Sequence, residues 1–150
     1  MNPIEKILVP TDLGDPGESA LAYAVGLADS LGAELILLHA FELPITGFPD
    51  GVLVATADLA SRIVNASQKA LGDAVEKYKG GKVKITPVLK QGDPREVILA
   101  VANDMGADLI VMGTHGRRGI ARALIGSTTE SVVRTAPLPV LTVHADVKTN

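Results

Sequence analysis

Cysteine and tryptophan are absent from this chain, and its aromatics are two tyrosines and two phenylalanines. Without cysteine there is no disulfide framework, no thiol redox centre and no cysteine-ligated zinc or iron–sulfur cluster. Aromatics at 3% of residues leave no platform for stacking single-stranded bases. A basic surplus is missing too. Lys and Arg number 14 against 17 Asp and Glu, a net charge of -3, which excludes general binding to a phosphate backbone. Nucleic acid is therefore not an expected partner. The three histidines, His39, His115 and His144, lack metal-motif spacing, and there is no H-E-x-x-H. No apolar run approaches the ~18 residues of a membrane span, so no membrane association is expected. Met1 to Lys6 does not open an export signal, because Ile4 to Val9 is too short and interrupted. The expected location is cytoplasmic.

What is present is an ordinary globular composition, 47% hydrophobic and 21% charged. The 150 residues fit one domain, and a domain of that size buries roughly 70% of the surface its unfolded chain exposes. Ile4 to Val9 reads as a strand with a continuous apolar core, as a strand covered on both faces requires. Thr11 to Gly17 reads as a loop. A helix opens near Ser19, carries Leu21, Ala24, Val25, Ala28 and Leu31 at helical spacing, and ends at Gly32 in a left-handed cap. Glu34 to Ala40 is a second buried strand. Phe41 to Gly51, with Pro44, Gly47 and Pro49, is a loop or lid. A long helix follows from Ala55 to Tyr78. Val83 to Leu89 is a strand in which Pro87 points to the sheet edge. Asp93 caps the next helix, with Pro94 at its first position and Glu96 completing a capping box. That helix ends at Gly106, and Asp108 to Met112 is a fourth strand. Gly113 to Gly119 is a glycine-rich loop, helical sequence follows through Arg134, and Val140 to Val143 is the last strand.

Ala28 to His39 aligns with Ala102 to Gly113: each is a helix end, a glycine turn and a buried strand. Strands alternating with helices give an α/β fold, a single-domain doubly wound parallel sheet. Ligands bind such sheets at the carboxyl ends of the strands, near the switch in strand order. Those ends are Pro10-Thr11-Asp12, His39-Ala40 and Gly113-Thr114-His115.

The richest stretch runs from Gly113 to Thr129. Its glycines permit positive φ and close approach of a ligand to the backbone, and exposed amides of this kind form an anion nest. Nine residues separate Gly116 from Gly126. Ser127, Thr128 and Thr129 add hydroxyls where a second glycine turn starts a helix, and a helix N-terminus attracts phosphate. The alternative is a plain glycine-rich connection with Ser127 as an ordinary helix cap. The standard nucleotide motifs are missing: no G-x-x-x-x-G-K-[ST], and no G-x-G-x-x-G after the first strand.

The pattern Gly-x2-Gly-x9-Gly-[Ser/Thr], met by Gly113, Gly116, Gly126 and Ser127, resembles that of the universal stress proteins, in their ATP-binding branch. Ile7-Leu-Val-Pro-Thr-Asp12, Asp108-Leu-Ile-Val-Met-Gly-Thr-His-Gly116 and Pro139-Val-Leu-Thr-Val143 are similar to that family too. The likeness spans nearly the whole chain except Phe41 to Lys82. It implies a five-stranded parallel sheet of order 3-2-1-4-5, Rossmann-like, with a cleft for ATP. It implies that Pro10, Thr11 and Asp12 border the adenosine, with Asp12 near ribose or a Mg2+ ion carried by the phosphates. It implies that Ala40 offers backbone groups to adenine, and that Met112 and Gly113 line the cleft. His115, Gly116, Arg117, Gly126, Ser127, Thr128 and Thr129 would meet the phosphates. It implies a role in stress tolerance, a homodimer paired through Val140 to Val143, and signalling to a further protein partner.

Beside these stand plainer readings. Asp12 caps the loop after its strand; His39 is a satisfied core or rim histidine, and His144 is structural or exposed. Arg117, Arg118 and Arg122 either draw a small anion or are solvated helix charges. Lys69, Lys77, Lys79 and Lys82 form a solvated face. No dedicated hydrolytic constellation is evident, so slow turnover at best is expected. Other functional classes remain open: a nucleotide-dependent hydrolase or transferase using Asp12 or His115, a binder of AMP or cyclic AMP, and a dimeric scaffold with a vestigial cleft.

Overall fold

The computed structural model describes residues 2–43, 53–114 and 125–144. Nine elements follow in chain order: β1 (Lys6–Pro10), α1 (Asp15–Leu31), β2 (Glu34–Phe41), α2 (Leu53–Glu76), β3 (Ile85–Gln91), α3 (Pro94–Met105), β4 (Leu109–Gly113), α4 (Ser127–Thr135) and β5 (Val140–Val143). The strands form one parallel sheet of order β3-β2-β1-β4-β5, the α/β topology expected from the sequence.

The continuous apolar runs bury both faces of this sheet. On one face Ile7, Val9, Leu35, Leu37, Leu109 and Val111 pack with Leu21, Ala24 and Ala28 of α1 and Leu71 of α2. On the other, Leu8, Ile36, Leu38, Ile110 and Met112 meet Ile98, Val101 and Ala102 of α3 and Val132 of α4. Each fully buried Leu, Ile or Val contributes roughly 1.5–3 kcal/mol by leaving water. The two aligned segments close their helices in the same way. Gly32 and Gly106 both have φ of 69°. The amides of Ala33 and Ala107 reach back to the carbonyls of Ala28 and Ala102, both at 2.9 Å. These left-handed caps turn each helix directly into its strand.

β3 is an edge strand, as Pro87 indicated. The Lys84 carbonyl accepts from the Leu35 amide, and the Gly92 amide donates to Phe41. Since a strand's polar groups alternate sides, the nitrogen of Pro87 faces away from β2, where its missing proton costs no ladder bond.

Several boundaries differ from the sequence reading. The first helix begins at Asp15, not near Ser19, because Gly14 takes the extended cap conformation and Pro16 falls in the first turn, where its missing N–H is harmless. The third strand runs two residues later than expected, since pairing with β2 continues to Phe41 opposite Gln91. α2 stops at Glu76 because Tyr78 and Lys79 bond three residues back rather than four. Asp93 is the cap of α3, but its carboxylate accepts from the Arg95 amide and the Arg95 guanidinium. The bonds of that cap therefore run to Arg95 rather than through a reciprocal box with Glu96. Residues 44–52, which hold most of the expected Phe41 to Gly51 loop or lid, lie outside the described residues, as does 115–124.

Candidate functional site

The sheet opens where its strand order switches. β1 pairs with β2 along its whole length, Lys6 to Pro10, but with β4 only at Ile7 and Leu8. Beyond Leu8 the two strands part, and a cleft of about 520 Å3 lies at their carboxyl ends. That volume falls within the range of small-molecule sites, about 300–1,000 Å3.

Ten of the residues singled out by sequence line this one cleft: Pro10, Thr11, Asp12, Ala40, Met112, Gly113, Gly126, Ser127, Thr128 and Thr129. His115, Gly116 and Arg117 lie outside the described residues. Sequence reasoning missed Gly17, Leu38, Pro94 and Ile98, and took His39 for a core or rim residue. Leu38 and Ile98 could have been found from period: they fall on the same sheet face as Met112, whose core ends at the cleft.

The loop after β1 is stitched by its own side chains. Thr11 Oγ1 accepts from the Leu13 amide at 3.0 Å, and Asp12 Oδ1 accepts from the Gly14 amide at 2.9 Å. Between them Leu13 adopts φ of 66°, a left-handed conformation that costs a non-glycine residue roughly 1–2 kcal/mol. Asp12 is thus a loop cap and a cleft-lining carboxylate at once. Gly17 is the residue that lets α1 come so near. A Cβ there would stand 2.4 Å from Thr11 Oγ1 and 3.3 Å from Asp12 Oδ1.

His39 is a rim residue with its Nδ1 2.8 Å from the Thr11 carbonyl oxygen. A carbonyl only accepts, so Nδ1 carries the proton. The histidine ties β2 to the loop after β1, beside the bond from the Thr11 amide to the Leu38 carbonyl.

Across the cleft, α4 presents its N-terminus. Gly126 is its cap, with φ of −60° and no side-chain hydrogen bond, and Ser127 is the first helical residue. This corrects the reading of Ser127 as the cap. It also removes positive φ as the reason for a glycine at Gly126. The cap supplies its carbonyl to the Glu130 amide but no side-chain oxygen to the amides before it. Thr129 is spent differently from expectation: its hydroxyl donates to the Gly113 carbonyl at 2.7 Å, and the residue is buried. It fixes α4 to the end of β4, while Ser127 and Thr128 stay on the cleft wall. The Gly126 amide donates to the Thr114 carbonyl, and the Thr114 amide to Val143. Thr114 Oγ1 is buried without a hydrogen-bond partner among the described residues, next to the start of this junction. By contrast α3, whose Pro94 also reaches the cleft, is already capped by Asp93.

The arrangement can hold an elongated ligand with an apolar flat end and an anionic end. Leu38, Ile98 and Met112 give the apolar floor. The start of α4, without a side-chain cap among the described residues, offers amides and partial positive charge. Asp12 is the one carboxylate among the described lining residues. No cluster of three or more metal-ligating side chains exists among the described residues. A divalent cation would therefore need ligand oxygens beside Asp12, which suits Mg2+ on phosphates. No described helix is long and apolar enough to cross a membrane.

Comparison with known proteins gives a consistent result. Residues 3–144 match the model of the universal stress protein family. Universal stress protein MJ0531 of Methanocaldococcus jannaschii is 33% identical, covering 98% of this chain and 86% of its own. Universal stress protein MJ0577 of the same organism is 28% identical over 93% of this chain and 94% of its own. The solved structure of MJ0577 superposes with a TM-score of 0.82 over 95% of this chain and 97% of that one. A universal stress protein solved in complex with cAMP, 26% identical, gives a TM-score of 0.67 over 96% of this chain and 99% of that one.

Proposed function

Since the chain belongs to the universal stress protein family, we propose that it is an ATP-binding regulatory protein of the stress response, a homodimer that holds nucleotide and turns it over slowly if at all. The observation that carries this reading is the N-terminus of α4, without a side-chain cap among the described residues, facing the Asp12 loop across an apolar-floored cleft. In this reading adenine lies on Leu38 and Ile98 with its edge toward the Ala40 backbone, and Asp12 Oδ2 receives the ribose or a Mg2+ ion. The phosphates lie at Gly126, Ser127 and Thr128, with His115, Gly116 and Arg117 completing that end by family likeness.

Binding without fast chemistry follows from what these groups do. Amides and hydroxyls that hold substrate and transition state equally do not raise the chemical rate. Asp12 is the one carboxylate available as a base among the described lining residues, and one of its oxygens already serves Gly14. We expect turnover well below ~0.1 s⁻¹, against about 10 s⁻¹ for a median enzyme. A cyclic nucleotide is the second reading, favoured by the relative solved with cAMP.

Calorimetry with ATP–Mg2+, cyclic AMP and adenosine tests these readings. ATP should bind at least ~100-fold tighter than adenosine, about 2.7 kcal/mol, because charge-assisted bonds to phosphate contribute about 1.5–3 kcal/mol each. Gly126→Val should weaken ATP at least ~10-fold, about 1.4 kcal/mol, by placing a branched side chain where the phosphates lie. Equal affinity for ATP and adenosine would remove the phosphate assignment. Cyclic AMP binding more tightly than ATP would favour the second reading.

A further inference from the structure

A second cavity, of about 330 Å3, lies on the opposite face of the sheet, between the start of α1 and the end of α2. Its walls are Leu13, Leu21, Leu37, Ala70, Ala74 and Tyr78. It shares Thr11 and Gly17 with the nucleotide cleft but faces the other core, where Leu21 and Leu37 are fully packed. Leu13, the one described non-glycine residue at positive φ, directs this cavity's outer wall.

The charges at its mouth are matched among themselves. Lys77 pairs with Glu18, and Asp73 pairs with Lys69 at 3.0 Å. An ionic guest would have to compete with a bond already made. A neutral one meets leucine and alanine side chains, with Tyr78 and Thr11 as the uncharged lining residues that carry a hydroxyl. Partial burial also pushes the Tyr78 phenol above its ordinary range. The size is at the lower end of small-molecule sites, about 300–1,000 Å3.

We propose that this cavity is a second ligand site, for a small uncharged molecule with an apolar ring or branched body and a single hydroxyl or amide. The wall supplied by α2, Ala70, Ala74 and Tyr78, is separate from the other cleft, and Thr11 and Gly17 are the edge that the two share.

The scarcity of aromatics supplies the assay. With no tryptophan and only Tyr23 and Tyr78, Tyr23→Phe leaves Tyr78 as the lone emitter. 2-Naphthol, a neutral probe that absorbs tyrosine emission, should quench it saturably. Ala70→Leu and Ala74→Leu, which fill the cavity from α2, should each weaken the probe at least about tenfold, and excess ATP–Mg2+ should not displace it. Nuclear Overhauser contacts from the probe to the methyls of Leu13 and Leu21 should appear in the unmodified chain, whatever the variants do. Quenching that never saturates, unchanged affinity in folded filling variants, displacement by ATP, or absence of those methyl contacts would each overturn the proposal.

Discussion

Gly17 decides how closely the first helix approaches the cleft. Its missing side chain accommodates Thr11 Oγ1, which is not free to swing away because it holds the Leu13 amide. Gly17→Ala would gain up to about 1 kcal/mol of helix propensity. Overpacking against a fixed hydroxyl costs about 1–3 kcal/mol, so the net change should be a loss. The thermal midpoint should fall, and nucleotide affinity with it, because the displaced groups belong to the Asp12 loop. Adding Thr11→Ala to Gly17→Ala should recover stability above that of the Gly17→Ala single variant. A single variant as stable as the parent would show that the hydroxyl is not fixed. The same scale shows why chemistry-bearing residues divide their duties. Asp12 and His39 carry the structural bonds that their plainer readings expected, whereas Thr129 carries one that its sequence position did not announce.

At the scale of elements, the three helix starts at the cleft differ in who caps them. α3 is closed by Asp93, and the Arg95 guanidinium and amide hold that carboxyl below its ordinary value of 3.8. A lowered folded value stabilises the protein above the ordinary carboxylate range, and the gain is lost as pH falls through the depressed value. Asp93→Asn keeps an oxygen for the Arg95 amide but lacks the charge. At neutral pH the parent should therefore melt above D93N, and the gap should close as pH drops below 3.8. A gap that stays constant with pH would mean that the charge contributes nothing. α1 and α4 have no side-chain cap. Of these two, α4 presents its cap glycine and first helical residues to the cleft wall, and it is the helix to which we assign the phosphates.

For the whole molecule, the sheet has two unlike edges. β3 carries Pro87 with its nitrogen turned outward, which blunts that edge against pairing. Val140–Val143 of β5 carry no proline. Ile110 donates to Pro139 and Thr114 to Val143, so residues 139, 141 and 143 face β4, and the amides of Val140 and Thr142 face outward. A two-fold partner could satisfy them by antiparallel pairing. This alternation also selects the variant. Leu141→Pro would break the ladder to β4, whereas Thr142→Pro removes an outward donor. Thr142→Pro should shift a dimer toward monomer in sedimentation while keeping the circular dichroism of the parent. A parent that is monomeric at micromolar concentration would refute pairing through this edge.

Much was legible in the residues themselves. Continuous apolar strands, the glycines at Gly32 and Gly106, Pro87 and the Asp93-Pro94 start act through local backbone sterics and burial on both faces, and these are properties of short stretches of chain. Strand order came from family likeness, because periodicity does not say which strands are neighbours. The strand ends and the glycine-rich stretch were legible as motifs, while the list of cleft residues came from family likeness. Only the tertiary structure could decide which hydroxyls and carboxylates are already spent, that Gly126 rather than Ser127 is the cap, and that Gly17 must lack a side chain. The same holds for a second cavity between α1 and α2. Each of those depends on distances between residues far apart in sequence or across a turn, and a hydrogen bond's partner is fixed only when the chain has brought both groups within about 3 Å.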